Sequence, residues 1–192
     1  MATTQPIKNK KELQKFINYY QTQKPNARNY ALIVIGLYTA LRISDILMLT
    51  WKDLYDFEKD CFYSHLFLNE KKTGKASLIA LNDHIKDALS SYKAERKPNP
   101  EEYIFSSSTH PDTPICRSQA YRIIKKAAND TVYETHISCH SLRKTFGYHA
   151  WKQGISPVLL MDIYNHSSFH ITKRYLGISQ DERDSIFTDI NF

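Results

Sequence analysis

Three features of the 192-residue chain predict a mainly α fold with a small antiparallel β-sheet (α+β). Apolar residues recur every three or four positions over most of its length, the period of helices packed on one side. One stretch, residues 61–81, switches to β-branched and aromatic runs broken by a glycine turn. No internal repeat or low-complexity tract interrupts the pattern, and the length supports one sizeable core.

The elements follow in order. KNKKELQKFINYY (8–20) sets Leu13, Phe16, Ile17 and Tyr20 at helical spacing, and NARNYALIVIGLYTA reads as a second, largely buried helix that runs directly into Arg42. Ser44 is expected to cap a short helix, DILMLTW. CFYSHLFLN and ASLIAL are expected to pair as one hairpin with EKKTGK, including Gly74, at its tip. DHIKDALSSYKAER returns to helix, stopped by KPNP, and YIFSS reads as a short buried piece. SQAYRIIKKAAND is an amphipathic helix with a basic face. SCHSLRKTFGYHAWKQG is another helix, ending at Gly154, and SPVLLMDIYN places Pro157 in a first turn. SQDERDSIFTDINF starts with Ser179 and Glu182 in capping-box spacing and carries an apolar stripe of Ile186, Phe187 and Ile190.

Charge and cysteine usage narrow the class. A net charge of +6 suits a polyanionic partner such as nucleic acid. Three cysteines, Cys61, Cys116 and Cys139, form no disulfide framework and fit a reducing compartment. MATTQPIKNKKELQ lacks the apolar stretch of a signal peptide, and YALIVIGLYTAL is too short to span a bilayer. A soluble, cytoplasmic protein with no membrane association is expected.

Several groups can carry chemistry. His140 and Arg143 in HSLR share a helix face and suit an anionic oxygen, although a solvated face has the same spacing. Arg42 in TALRISD sits among Leu41, Ile43 and Ile46, with Asp45 as the expected ion-pair partner; a structural pair and a functional one are equally open. Lys71, Lys72 and Lys75 crowd the hairpin tip, as a solubilising turn or as cations that reach a phosphate. His136, Cys139 and His140 have spacing compatible with zinc but lack an evident fourth ligand, so no metal is expected. Neither a phosphate loop nor a carboxylate cluster is evident.

Singly these signals are weak. Their order, through TALRISDILMLTW, KKTGKASLIAL, HSLRKTF and NHSSFHITKRYLG, resembles the active-site series of the tyrosine recombinase (phage integrase) family over residues 28–178. The resemblance implies the catalytic-domain fold of that family and a site-specific DNA recombinase that cleaves and rejoins strands through a 3′-phosphotyrosyl link. It implies Tyr175 as nucleophile, Arg42 and Arg143 on the scissile phosphate, His140 and His166 at the two histidine positions, Lys72 as the hairpin lysine with Lys75 as fallback, and Asp45 in support. In that chemistry a tyrosine oxygen attacks phosphorus and later leaves again, arginines and a histidine hold the developing charge, His140 accepts the tyrosine proton, and the lysine protonates the departing 5′-oxygen. No cofactor is then required.

Tyr164 fits no catalytic position and is expected in the core with Leu160 and Met161; His170 fits none either. Asn165 stands where the family usually has glycine, and asparagine tolerates the left-handed region better than most residues. Phosphate contacts are expected from Arg117, Arg122, Lys125 and Lys126, together with Lys71 and Lys75. The whole chain, 1–192, is expected to be one catalytic domain: an N-terminal extension (1–27), the core (28–178) and a tail helix (179–192). It resembles stand-alone catalytic-domain members such as the fimbrial phase-variation invertases. The implied partner is double-stranded DNA, bound as a homotetramer on two sites by a protein otherwise monomeric, with accessory DNA-bending proteins; the tail is expected to dock on a neighbouring protomer, with packing on its own domain as the alternative. Two rival functions share parts of this evidence: a type IB topoisomerase-like nicking-closing enzyme, and a DNA-binding regulator descended from a recombinase.

Overall fold

The computed structural model describes residues 4–71, 74–107, 109–110, 112–134, 136–178, 184 and 187–189. Helices dominate, as the periodicity predicts. Helix α1 (Lys10–Asn18) is capped by Asn9, whose side chain accepts from the amides of Lys11 and Glu12. The chain then widens into a single π-helical turn, Tyr19–Gln23, so Tyr20 is buried from a turn rather than from the helix the spacing suggested. Helix α2 (Ala27–Tyr38) is buried continuously from Ala31 to Leu37. It forms the centre of the main core, against which α4 (Asp83–Arg96) and α6 (Cys139–Lys152) pack.

Two sequence expectations are corrected. Helix α3 (Ile43–Ile46) begins two residues earlier than expected: the Arg42 carbonyl accepts from the amides of Asp45 and Ile46, so Arg42, not Ser44, occupies the N-cap. CFYSHLFLN also does not form one strand. Its first part, β2 (Cys61–Phe62), pairs with β1 (Tyr55–Asp56), and only β3 (His65–Asn69) pairs with β4 (Ala76–Ala80). The break at Tyr63–Ser64 lets β3 place Leu66 in the core while Phe67 and Leu78 face outward as a cross-strand pair. YIFSS is buried at Ile104 and Phe105, as expected.

Helices α5 (Arg117–Thr131), α6, α7 (Pro157–Tyr164) and α8 (Phe169–Leu176) complete the fold. Alongside the main core stands a smaller cluster of Ala40, Tyr148, Leu160, Tyr164, Leu176 and Ile178, with Tyr175 packed against it. Tyr164 belongs to this cluster, as predicted, and is fully buried. Gly147 of α6 makes that packing possible, because a Cβ there would collide with the Tyr164 hydroxyl and the Leu176 side chain. Among the described residues no helix is long and apolar enough to cross a membrane.

Candidate active site

Helix α6 opens with a capping box in which Ser138 and Ser141 exchange hydrogen bonds with each other's backbone amides. That start fixes His140 in the first turn and Arg143 on the same side one turn later. Arg143 is 4% exposed, and a guanidinium that dry must have its donors met. Its Nη1 donates to the Ala40 carbonyl and its Nη2 to the Tyr164 carbonyl at 3.2 Å, while the guanidinium lies over the Tyr164 ring, 4.5 Å from its centroid. Ala40 adopts φ 55°, a left-handed conformation that a non-glycine residue enters at a cost. That conformation precedes Arg42 and presents the Ala40 carbonyl to Arg143. The Tyr164 hydroxyl closes the arrangement by donating to the Arg143 carbonyl at 2.7 Å.

Pro157 occupies the first turn of α7, as the sequence predicts, and Ser156 caps it. The helix ends at Asn165 with φ 53° and ψ 47°, the left-handed conformation expected for a residue in the place of glycine. The turn swings His166 back over the cluster. Its Nδ1 lies 3.0 Å from Thr172 Oγ1, and its ring stacks on Tyr164 and meets Tyr175 edge-on at 5.0 Å between centroids. Helix α8 is capped by Ser168 and closed by Gly177 at φ 69°. It presents Tyr175, half-buried, beside Arg143, whose charge acts on the phenol.

Electrostatics match this geometry. Burial raises the Tyr175 pKa; the nearby positive charges of Arg143 and Arg42 oppose that rise. The phenol is therefore held protonated until a base takes its proton. His140 and His166 are both pushed below the ordinary histidine range, by desolvation first and then by surrounding cations. For His140 those cations are Arg117, Arg143, Lys144 and Arg42, which act although the side chain keeps access to solvent. Both imidazoles are neutral near pH 7, the form that accepts a proton.

The hairpin side differs from expectation. Arg42 pairs with Glu70, not with Asp45. Asp45 is buried, and its Oδ1 accepts from the Lys71 amide at 3.1 Å; its Oδ2 has no hydrogen-bond partner among the described residues. The physical reason is reach: Asp45 sits inside the α3 turn that Arg42 caps, whereas Glu70, at the end of β3, faces the Arg42 guanidinium across the cleft. The only sequence signal for Glu70 was an acid among the lysines of NEKKTGK. Lys72 lies outside the described residues. Lys75 is exposed, and its Nζ donates to the Asp162 carbonyl at 3.0 Å. Glu70, Lys75, Arg143, Ala40, Asp162 and Ile163 line a cleft of about 270 Å³ between hairpin and helices.

On α5, Arg117, Arg122 and Lys126 are exposed and Lys125 is half-buried. Arg117 is close enough to His140 to depress its pKa, so this basic helix begins beside the site. Arg122 and Lys126 line an open groove of about 600 Å³ with Lys24, Asn26 and Gln119. His136 Nδ1 lies 3.0 Å from Glu134 Oε1, and no cluster of three histidine, cysteine or carboxylate side chains suited to a metal occurs among the described residues. His170 is exposed.

Tyr175 beside the buried Arg143, with Arg42, His140 and His166 around it on this helical frame, is the arrangement the sequence leads one to expect in a DNA strand-exchanging enzyme of the tyrosine class. Comparison with known proteins agrees. The chain belongs to the phage integrase family, whose profile matches residues 8–182, and it is a site-specific recombinase that cuts and rejoins DNA. It is 40% identical over 181 residues to the probable integrase/recombinase YoeC of Bacillus subtilis, covering 94% of this chain and 93% of that one. It is 29% identical over 171 residues to the type 1 fimbriae regulatory protein FimE of Escherichia coli K12, covering 86% of this chain and 82% of that one. The solved XerH recombinase bound to palindromic difH substrate shares the fold with a TM-score of 0.74, at 22% identity over 97% of this chain and 54% of that one.

Proposed function

We propose that Tyr175 is the nucleophile and that the groups around it divide the work of a phosphodiester transfer. The phenol oxygen attacks phosphorus, its proton passes to His140, and the bond to the 5′-oxygen breaks. A 3′-phosphotyrosyl ester remains, which a 5′-hydroxyl of the partner strand reverses. Arg42 and Arg143 hold the non-bridging oxygens, and His166 lies on the same side. Lys72 protonates the 5′-oxygen, with Lys75 as the alternative, and Asp45 supports by holding the hairpin backbone through Lys71. The observation that carries this reading is the placement of Tyr175 against His166, 5.0 Å between ring centroids, on the cluster where the guanidinium of buried Arg143 lies over the Tyr164 ring. A phosphate in that position would meet nucleophile and clamp together.

Double-stranded DNA is the substrate in this reading. XerH is named as bound to its difH substrate, and here the exposed cations of α5 beside the site, with Lys71 and Lys75, supply the phosphate contacts. The chain acts as one catalytic domain, 1–192, in the cytoplasm, monomeric alone and tetrameric on two sites. Its tail, whose Ser179, Glu182, Ile186 and Ile190 lie outside the described residues and whose Phe187 is 82% exposed, docks on the neighbour. Nicked duplexes tiled from DNA flanking its gene test the reading. A covalent adduct mapping to Tyr175 and recombinant junctions are expected. Adducts with relaxation alone would indicate a nicking-closing enzyme, and binding without adduct would indicate a regulator.

A further inference from the structure

Ahead of α1, residues 4–8 form a strap across α6. The Gln5 amide donates to the His136 carbonyl at 3.1 Å and the Ile7 amide to Thr145 Oγ1 at 2.9 Å. The Ile7 carbonyl lies 2.8 Å from His149 Nε2, and the Ile7 side chain is buried in the main core. Both ends of the strap reach the surroundings of Tyr175. Lys8 Nζ donates at 3.3 Å to the carbonyl of Gly177, the residue that closes α8 just beyond the tyrosine. The Thr4 carbonyl accepts at 2.7 Å from Lys144 Nζ, and that ammonium stands 5.0 Å from the centroid of the Tyr175 ring.

Lys144 is 9% exposed, and burial pulls its pKa below the usual lysine value. An ammonium kept from water needs compensation. Here it comes from one strap carbonyl and one aromatic face, and that face belongs to the nucleophile. The charged or titratable groups facing Tyr175 are Arg143 and Lys144 from α6, Arg42 from the start of α3, Tyr164 from α7 and His166 from the turn before α8. Lys8 stands at the end of α8. When DNA is bound, the two arginines are matched by the scissile phosphate. Lys144 holds its charge at the ring instead.

We propose, resting on the reading of Tyr175 as nucleophile, that the strap seats Lys144 against Tyr175, where its ammonium favours the phenolate over the phenol during attack and during departure. Attraction of a cation to a neutral ring face is modest, and it grows once the ring carries negative charge. Lys144 exchanges no proton in this role; the phenol proton still goes to the base. The strap is the positioning element, because it fixes the ammonium through Thr4 and the end of α8 through Lys8.

The test is single-turnover attachment to a nicked duplex that the unmodified protein attacks, followed from about pH 6 to about pH 10, across the histidine range and up to the tyrosine range. Lys144→Met is expected to be slower by about tenfold near neutral pH and to recover only as pH rises towards the tyrosine range, that alkaline limb of the profile moving up by about one unit. Lys144→Arg restores the original profile, DNA affinity is unchanged in both, and Lys8→Gln, which loosens the strap, gives a smaller shift in the same direction. Attachment by Lys144→Met at the original rate at every pH overturns the proposal, and so does a loss of equal size at every pH. If the unmodified protein forms no adduct at Tyr175, the nucleophile reading falls and takes this role with it.

Discussion

On the α6–α7–α8 side of the site, the functional side chains are fixed by packing; on the hairpin side they are fixed by charge. Arg143 is enclosed by the Tyr164 ring and two carbonyls, Tyr164 fits against Gly147, and Tyr175 and His166 rest on the same small cluster. Arg42 is held by Glu70, and the hairpin backbone by Asp45. Close packing tolerates little displacement. A two-stranded hairpin tied by an ion pair and a hydrogen bond opens at lower cost. In the proposed mechanism the tyrosine and Arg143 thus stand preformed, while the proposed proton donor belongs to the hairpin, the element that opens at lower cost.

Arg143→Ala separates the halves most strongly. It removes transition-state charge stabilisation and leaves the Ala40 and Tyr164 carbonyls without their partner. Attachment is expected to fall by about a thousandfold, with about 2–4 kcal/mol lost in chemical denaturation. An equally large stability loss from Arg42→Ala would erase the distinction. Gly147→Ala comes next, because the new methyl must displace Tyr164 or Leu176. About 1–3 kcal/mol of stability is expected to go, with attachment reduced through misplaced α7 and α8. A variant as stable as the parent would mean that this side yields after all.

Glu70→Gln probes the other half. It keeps the shape and removes the charge that holds Arg42, so attachment should drop by about tenfold while the thermal midpoint moves less than in Gly147→Ala. The acid limb of the pH profile sharpens the comparison further. His140 and His166 have depressed pKa values, so attachment should persist as pH falls to about 6.5 and be lost only below it. The stability linkage has the same sign: both groups contribute fully above the unfolded-state value and lose that contribution as pH falls through the lower folded-state values. The smallest expected effect is on binding. Lys126→Ala should lower the slope of log affinity against log salt by about one, with little change in attachment at saturation.

The two halves also differ in how far the sequence revealed them. HSLRKTF and NHSSFHITKRYLG have helical spacing, clear caps and residues of one chemical purpose, so Arg143, His166 and Tyr175 were legible, as were the left-handed Asn165 and the buried Tyr164. The hairpin was legible as an element but not in its pairing. Arg42 has an acid three residues on, and spacing alone favours Asp45; only the fold brings Glu70 across the cleft. The split of CFYSHLFLN into two strands was hidden for a similar reason, because the partner of Cys61–Phe62 is the short Tyr55–Asp56 segment, too brief to show any period. The strap of residues 4–8 left no trace in the pattern. Its role comes from contacts with residues more than 130 positions away.

The central claim is that the tyrosine resting against Arg143 on α8 cuts DNA, and that the tyrosine beneath the guanidinium only holds it. Attachment of Tyr175→Phe and Tyr164→Phe to a nicked suicide duplex, beside DNA affinity for both, tests this most directly. Tyr175→Phe should bind DNA and form no covalent complex. Tyr164→Phe, which keeps the ring under Arg143 and loses only the hydroxyl bond to its carbonyl, should form the complex within about tenfold of the parent rate. A complex that survives Tyr175→Phe and disappears with Tyr164→Phe would contradict the account.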